Sequence, residues 1–195
     1  MADPIRMGRR FGKPLHESHG SDKGGDTTVN EFSISTSLSS LVSWLRSARV
    51  GVVERPRDLM IDDGEVQLVV TMSEVGEIRK FWRGQDRGVI FTAPKSSDLE
   101  KYLTFSFGSD YRNAAGLSRL RPLAAIPYSK KSFASGVHVE DGPMIRLSWS
   151  EDGAPAWASF ANEFDAIDFS HYCMLPVDAI RAALADPQGA PLWVG

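Results

Sequence analysis

Residues 59–71 constrain the fold most tightly. Asp62-Asp63-Gly64 stands between the apolar stretch Leu59-Met60-Ile61 and the β-branched run Val66-Gln67-Leu68-Val69-Val70-Thr71. Asp and Gly supply turn chemistry, and the flanking residues suit a pleated, half-buried surface, so the segment reads as a β-hairpin. A hairpin is marginal by itself in water and needs further strands or a helix over its apolar face. The chain can provide them. It has 195 residues, 42% of them hydrophobic, and a domain of this size buries roughly 70% of the surface its unfolded chain exposes. Cys173 is the single cysteine, which excludes an intrachain disulfide and a Cys-rich zinc module. Apolar packing must therefore carry the fold.

Outside the hairpin, residues 1–28 are rich in Gly and poor in large apolar side chains, too little to offset the entropy of ordering them. They read as a flexible leader, with one domain over residues 29–195. Alternation over Asn30–Ser35 suggests a first strand. Leu38, Leu41, Val42 and Leu45 then mark one face of a helix that Ser35 or Thr36 would cap. Val50–Glu54 reads as a short strand. Ser73 is placed to cap a helix carrying Val75, Ile78, Phe81 and Trp82 and closed by Gly84, and Gly88–Ala93 as a strand stopped by Pro94. Ser97-Asp98-Leu99-Glu100 has the form of a capping box, although Tyr102, Leu103, Phe105 and Phe107 fit a strand equally well. Asp110 is a candidate cap for a helix through Leu120.

Later in the chain, Glu151-Asp152-Gly153 separates Met144–Trp149 from Trp157 and Phe160, a second hairpin signal. His171–Leu175 reads as a short apolar strand, Pro176 as a helix start, and Leu192-Trp193-Val194 as a tail that docks back. Strands and short helices interleave irregularly, so the fold class expected is α+β, a single domain built mainly on an antiparallel sheet with several short helices. No apolar run approaches the roughly 20 residues of a membrane-spanning helix, and the start has no apolar core of a secretory signal. The expectation is a cytoplasmic protein without a membrane partner.

The formal net charge of -3 conceals a division. Residues 1–78 carry -3, residues 79–131 carry +7, and residues 132–195 carry -7. The basic block is interleaved with aromatic residues, the combination from which a nucleic-acid-binding face is built: cations for phosphates and rings for unpaired bases. On this reading Arg79, Lys80, Arg83, Arg87, Arg112, Arg119, Arg121, Lys130 and Lys131 neutralise phosphates. The rival reading of the same pattern has the acidic last third fold against the basic middle, with the aromatics in the core. A second function class is a protein-interaction module, an inhibitor or adaptor, in which the acidic last third engages a partner and Trp157, Phe164, Phe169 and Trp193 are candidate anchors.

A third class is a metal-dependent nuclease. Glu54, Asp58, Asp62, Asp63 and Glu65 crowd the first hairpin, and converging carboxylates can hold Mg²⁺, but the same residues are ordinary turn chemistry. His16 and His19 lie three apart in the leader, and His138 and Glu140 share one face of a strand; both are two-residue patterns that arise by chance. No phosphate-binding, dinucleotide-binding or serine-nucleophile motif occurs. The sequence therefore implies no cofactor and leans away from an enzyme.

Overall fold

The structure is a computed structural model, and it describes residues 37–119, 121–122, 132–189 and 193–194. The expected leader and the alternation over Asn30–Ser35 lie outside the described residues, as do Ser35 and Thr36. Helix α1 (Ser39–Ser47) opens after Leu38 and buries Leu41, Val42, Trp44 and Leu45, the face that the apolar spacing predicts. A meander of five strands follows: β1 (Gly51–Glu54), β2 (Asp58–Asp62), β3 (Val66–Met72), β4 (Gly76–Trp82) and β5 (Gln85–Ala93). Next come helices α2 (Ser96–Ser106) and α3 (Gly108–Ala114), then strand β6 (Arg121–Pro122). The last third holds β7 (His138–Glu140), β8 (Ile145–Glu151), β9 (Ala154–Phe160), helices α4 (Glu163–Ser170) and α5 (Val177–Ala185), and strand β10 (Trp193–Val194).

Eight of these strands form one antiparallel sheet in the order β1-β2-β3-β4-β5-β9-β8-β7. The α+β architecture expected from the sequence is the one found. The tail strand β10 pairs with β6, Trp193 opposite Pro122 and Val194 opposite Arg121. Among the described residues, no helix is long and apolar enough to cross a membrane.

The fully buried strand residues all fall on one face: Leu59 and Ile61, Leu68 and Val70, Ile78, Phe91 and Ala93, Leu147 and Trp149, then Ala156, Ala158 and Phe160. Helices α1, α2 and α4 pack on the sheet and complete this core. Its centre is aromatic. Phe91 stacks on Tyr102 at 4.5 Å and meets Phe160 edge-on at 5.0 Å, while Phe169 packs against Trp149, Phe160 and Tyr172. The opposite face carries none of the fully buried side chains.

Three local expectations give way to tertiary structure, and one left open is decided by it. The helix expected from Ser73 to Gly84 is strand β4. Ile78 and Trp82 share a face in either conformation, and full pairing with β3, from Met72 opposite Gly76 to Val66 opposite Trp82, selects the strand. Ser73 is spent on the turn, its hydroxyl donating to the Val75 carbonyl at 3.0 Å. Conversely, Tyr102, Leu103 and Phe105 are helical in α2, which leaves Phe107 as the link to α3. Asp110 lies inside the first turn of α3 without capping it, and that helix ends at Ala114, six residues before Leu120. Finally, the strand expected at His171–Leu175 is a run of turns, with the Tyr172 and Cys173 amides both donating to the Phe169 carbonyl. It follows α4, a helix absent from the sequence reading. The signal for α4 was Asn162, whose side chain accepts from the Phe164 amide at 2.9 Å, followed by Glu163 and Asp165 in the first turn.

The two opposed charge blocks meet in the helical layer. Lys95 and Lys101 of the basic block both bind Glu151 of the acidic third, at 2.6 and 2.8 Å, and Arg181 binds Glu100 at 2.7 Å. Part of the division in charge along the chain is thus neutralised within the fold.

Candidate protein-binding surface

The hairpin of β4 and β5 positions the first four basic candidates. Its two-residue turn has Arg83 at φ 50° and Gly84 at φ 75°, the left-handed pair that matches the twist of adjoining strands. Alternation along β4 then divides the side chains. Lys80 and Trp82 share the face of buried Ile78, whereas Arg79 and Phe81 lie on the open face. Trp82 stays 41% exposed. The guanidinium carbons of Arg83 and Arg87 approach its ring centroid to 5.2 and 4.9 Å, within the range in which the ring quadrupole attracts a cation.

Charge at this end is largely matched. Arg83 binds Glu65 at 2.8 Å and its amide donates to the Glu65 carbonyl, which locks the two neighbouring hairpin turns together. Arg79 binds Asp86 at 2.7 Å. The Gly88 amide, and after it Arg79, holds the Asp86 carboxyl below its ordinary range. Arg87 donates to Gln85 Oε1, and Lys80 is half-buried.

The remaining candidates do not join this group. Arg112 is 2% exposed and gives its N–H groups to four carbonyls: Ser118 at 2.8 Å, Leu184 at 2.7 Å, Asp186 at 2.6 Å and Pro187 at 3.0 Å. That corrects its reading as a surface phosphate contact. Its planar fork fastens the chain ends after α3 and α5 together, because several backbone acceptors converge there and only guanidinium has enough donors. Arg119 is exposed beyond the end of α3, so it shares no helical face with Arg112. Arg121 lies in β6, and Lys130 and Lys131 lie outside the described residues.

The acidic hairpin is likewise committed to structure. Asp62 accepts from the Gly64 amide at 2.7 Å, which with Gln67 lowers its pKa, and Asp63 accepts from the Val66 amide. Glu54, Asp58 and Glu65 pair with Arg46, Arg55 and Arg83. Among the described residues no group of three or more His, Cys, Asp or Glu could hold a metal. His138 and Glu140 share a face, 3.7 Å apart, on an exposed edge strand, and His16 and His19 lie outside the described residues. Cys173 is buried, and burial pushes its thiol up to about 12, away from nucleophilic reactivity.

The aromatic anchors proposed for a protein partner separate similarly. Phe169 is fully buried and belongs to the core, a correction, since α4 turns it inward. Phe164 is 38% exposed. Trp157 stands half-buried on the open face beneath Arg146, whose guanidinium carbon lies 4.2 Å from the ring. The Trp193 side chain lies outside the described residues. Sequence reasoning missed Trp82, which the helix expectation turned inward. Arg83-Gly84 was the signal available, because two residues that tolerate φ > 0 between alternating runs read as a tight hairpin.

A family model described as immunity protein 61 matches residues 44–192, from within α1 to the end of the described core. Among solved structures the chain is similar to Rv3902c from M. tuberculosis, with a TM-score of 0.66 over 83% of this chain and 97% of that chain at 21% identity, a likeness of fold. No curated protein matches. Neither match points to nucleic acid.

Proposed function

This chain belongs to the immunity protein 61 family, and from that membership we propose that it binds a toxin protein and holds it inactive. The observation that carries the reading is Trp82, an aromatic ring left 41% exposed at the end of a rigid hairpin and flanked by two guanidinium groups. Tryptophan and arginine are the residue types that most often dominate protein–protein binding energy. A ring already flanked by its cations loses little side-chain freedom on docking. The open face of the sheet, opposite the one that carries Trp82, offers a second apolar surface of Met60, Val69, Phe81 and Trp157, all half-buried, with Val53 at its edge. Arg83 and Arg87 then act as anchors to a protein, the partner class that the family match supports.

The test is growth rescue followed by complex formation. Candidate toxins from the same genome are co-expressed with this chain, and a neutralised toxin is purified with it. Trp82→Ala should weaken that complex by about 30-fold or more, a loss of about 2 kcal/mol, and leave the unfolding midpoint in place. Failure to neutralise any toxin, together with salt-sensitive binding of DNA or RNA, would overturn the reading and restore the nucleic-acid one.

A further inference from the structure

The two cations beside the exposed ring of Trp82 are not equivalent. Arg83 is neutralised by Glu65 at 2.8 Å. Arg87 is exposed, and among the described residues no carboxylate pairs with it; its hydrogen-bond acceptor there is Gln85 Oε1, at 3.0 Å. A guanidinium has five N–H donors in a planar fork, so one amide oxygen leaves most of that capacity unused.

The other charged groups at this end are already engaged. Asp86 pairs with Phe81 across the ladder and so lies on the open face, away from Trp82, where its carboxylate accepts from Arg79 and from the Gly88 amide, each at 2.7 Å. Lys80 shares the Trp82 face and lies within electrostatic reach of Asp165 on α4. In the neighbouring turn, Asp62 accepts from the Gly64 amide and from Gln67, and Asp63 accepts from the Val66 amide.

Strand geometry also sets Arg87 apart. Asp86 stands opposite Phe81 and Val89 opposite Arg79, so Lys80 alone faces the two residues Arg87 and Gly88. Gly88 takes φ 84° at this bulge, with open space around it. A bulge bends its strand and re-aims the side chains beside it. Here it accompanies a guanidinium carbon 4.9 Å from the Trp82 ring centroid. A guanidinium over an indole is attracted by the ring and keeps its N–H edge for a planar acceptor. Carboxylate is the protein group that matches that edge with two parallel hydrogen bonds.

We propose that Arg87 is the charge-selecting contact of the toxin interface, taking an aspartate or glutamate carboxylate of the toxin beside an apolar toxin side chain that covers Trp82. This rests on the reading that the chain binds a toxin protein. Arg83, matched by Glu65, holds the ring and adds no unpaired charge.

The probe is the toxin that purifies with the full chain after growth rescue, and dissociation constants are measured at low and high salt. Arg87→Gln, neutral and of similar reach, should weaken the complex by about tenfold or more and flatten its salt dependence. Arg87→Glu should lose about tenfold again, because it sets carboxylate against carboxylate. Arg87→Lys should recover part of the loss, since it keeps the charge without the fork. Removing the matched pair together, Arg83→Gln with Glu65→Gln, should cost less than Arg87→Gln alone. The Arg87 variants should keep the parent's unfolding midpoint, as the side chain is exposed. Undiminished binding by Arg87→Gln, or equal binding by Arg87→Gln and Arg87→Glu, overturns the proposal and leaves the toxin reading standing. If the parent neutralises no toxin, the toxin reading itself fails and this assignment with it.

Discussion

The basic block meets two different fates within one fold. At the end of the β4–β5 hairpin, Arg83 and its partner Glu65 are 64% and 65% exposed. In the helical layer, Lys101 and Arg112 are each 2% exposed. Residue type does not separate the two regions; the supply of acceptors does. Lys101 satisfies its three N–H donors with Asp98 at 3.0 Å, Glu151 at 2.8 Å and the Cys173 carbonyl at 2.6 Å, and Arg112 meets four carbonyls. A cation can leave water only where such partners are fixed in place. At the hairpin end the cations stay hydrated, and their exposed pairs with Glu65 and Asp86 contribute little to folding.

Substitutions can break this contrast. The largest effect is expected from Arg112→Ala, which strands four buried or half-buried carbonyls and should cost about 4–5 kcal/mol in urea unfolding. Arg112→Lys should restore only part of it, because an ammonium cannot reproduce the planar fork. Lys101→Met comes next, at about 3 kcal/mol, since it leaves Asp98 buried without its cation. The Asp98 carboxyl lies above its ordinary pKa, chiefly through burial with Lys101 opposing. Protonation therefore favours the folded state, and the Lys101→Met deficit should shrink as pH falls through the carboxylate range.

Glu151→Gln should cost about 1–2 kcal/mol at pH 7. Lys101, then Lys95, hold this carboxyl below its ordinary pKa. Its stabilisation is present above the unfolded-state value and lost as pH falls through the folded one, so the variant and the parent should converge in acid. Denaturant midpoints measured between pH 7 and 3 check both signs. Smallest is Arg83→Ser, expected within about 0.5 kcal/mol because the pair it breaks is exposed. A larger loss would show that the lock to Glu65 is structural and sharpen the difference between the two regions.

Much of the fold was legible locally. Asp62-Asp63-Gly64 and Asp152-Gly153 are turns that their own residues specify, and Gly64 and Gly153 adopt the positive φ those turns need. Leu38, Leu41, Val42 and Leu45 buried the face their spacing predicts. The β4 segment was misread because Ile78 and Trp82 satisfy both periods, and the decision lay with β3, several residues away in sequence but directly hydrogen-bonded in space. The candidate surface was legible only in part. Arg83 and Arg87 stood out as cations, whereas the ring they flank was invisible until the segment was known to be a strand.

By itself the sequence determined the α+β class, the hairpins, the absence of a disulfide framework and the opposed charge of its middle and last thirds. These depend on composition and on interactions between near neighbours along the chain. Only the tertiary structure decided which cations stay in water, that Lys101 and Glu151 of the opposed blocks meet, that Phe169 turns into the core and that Trp82 does not. Burial and pairing depend on groups brought together from distant positions, and the chain's order carries no local record of that proximity.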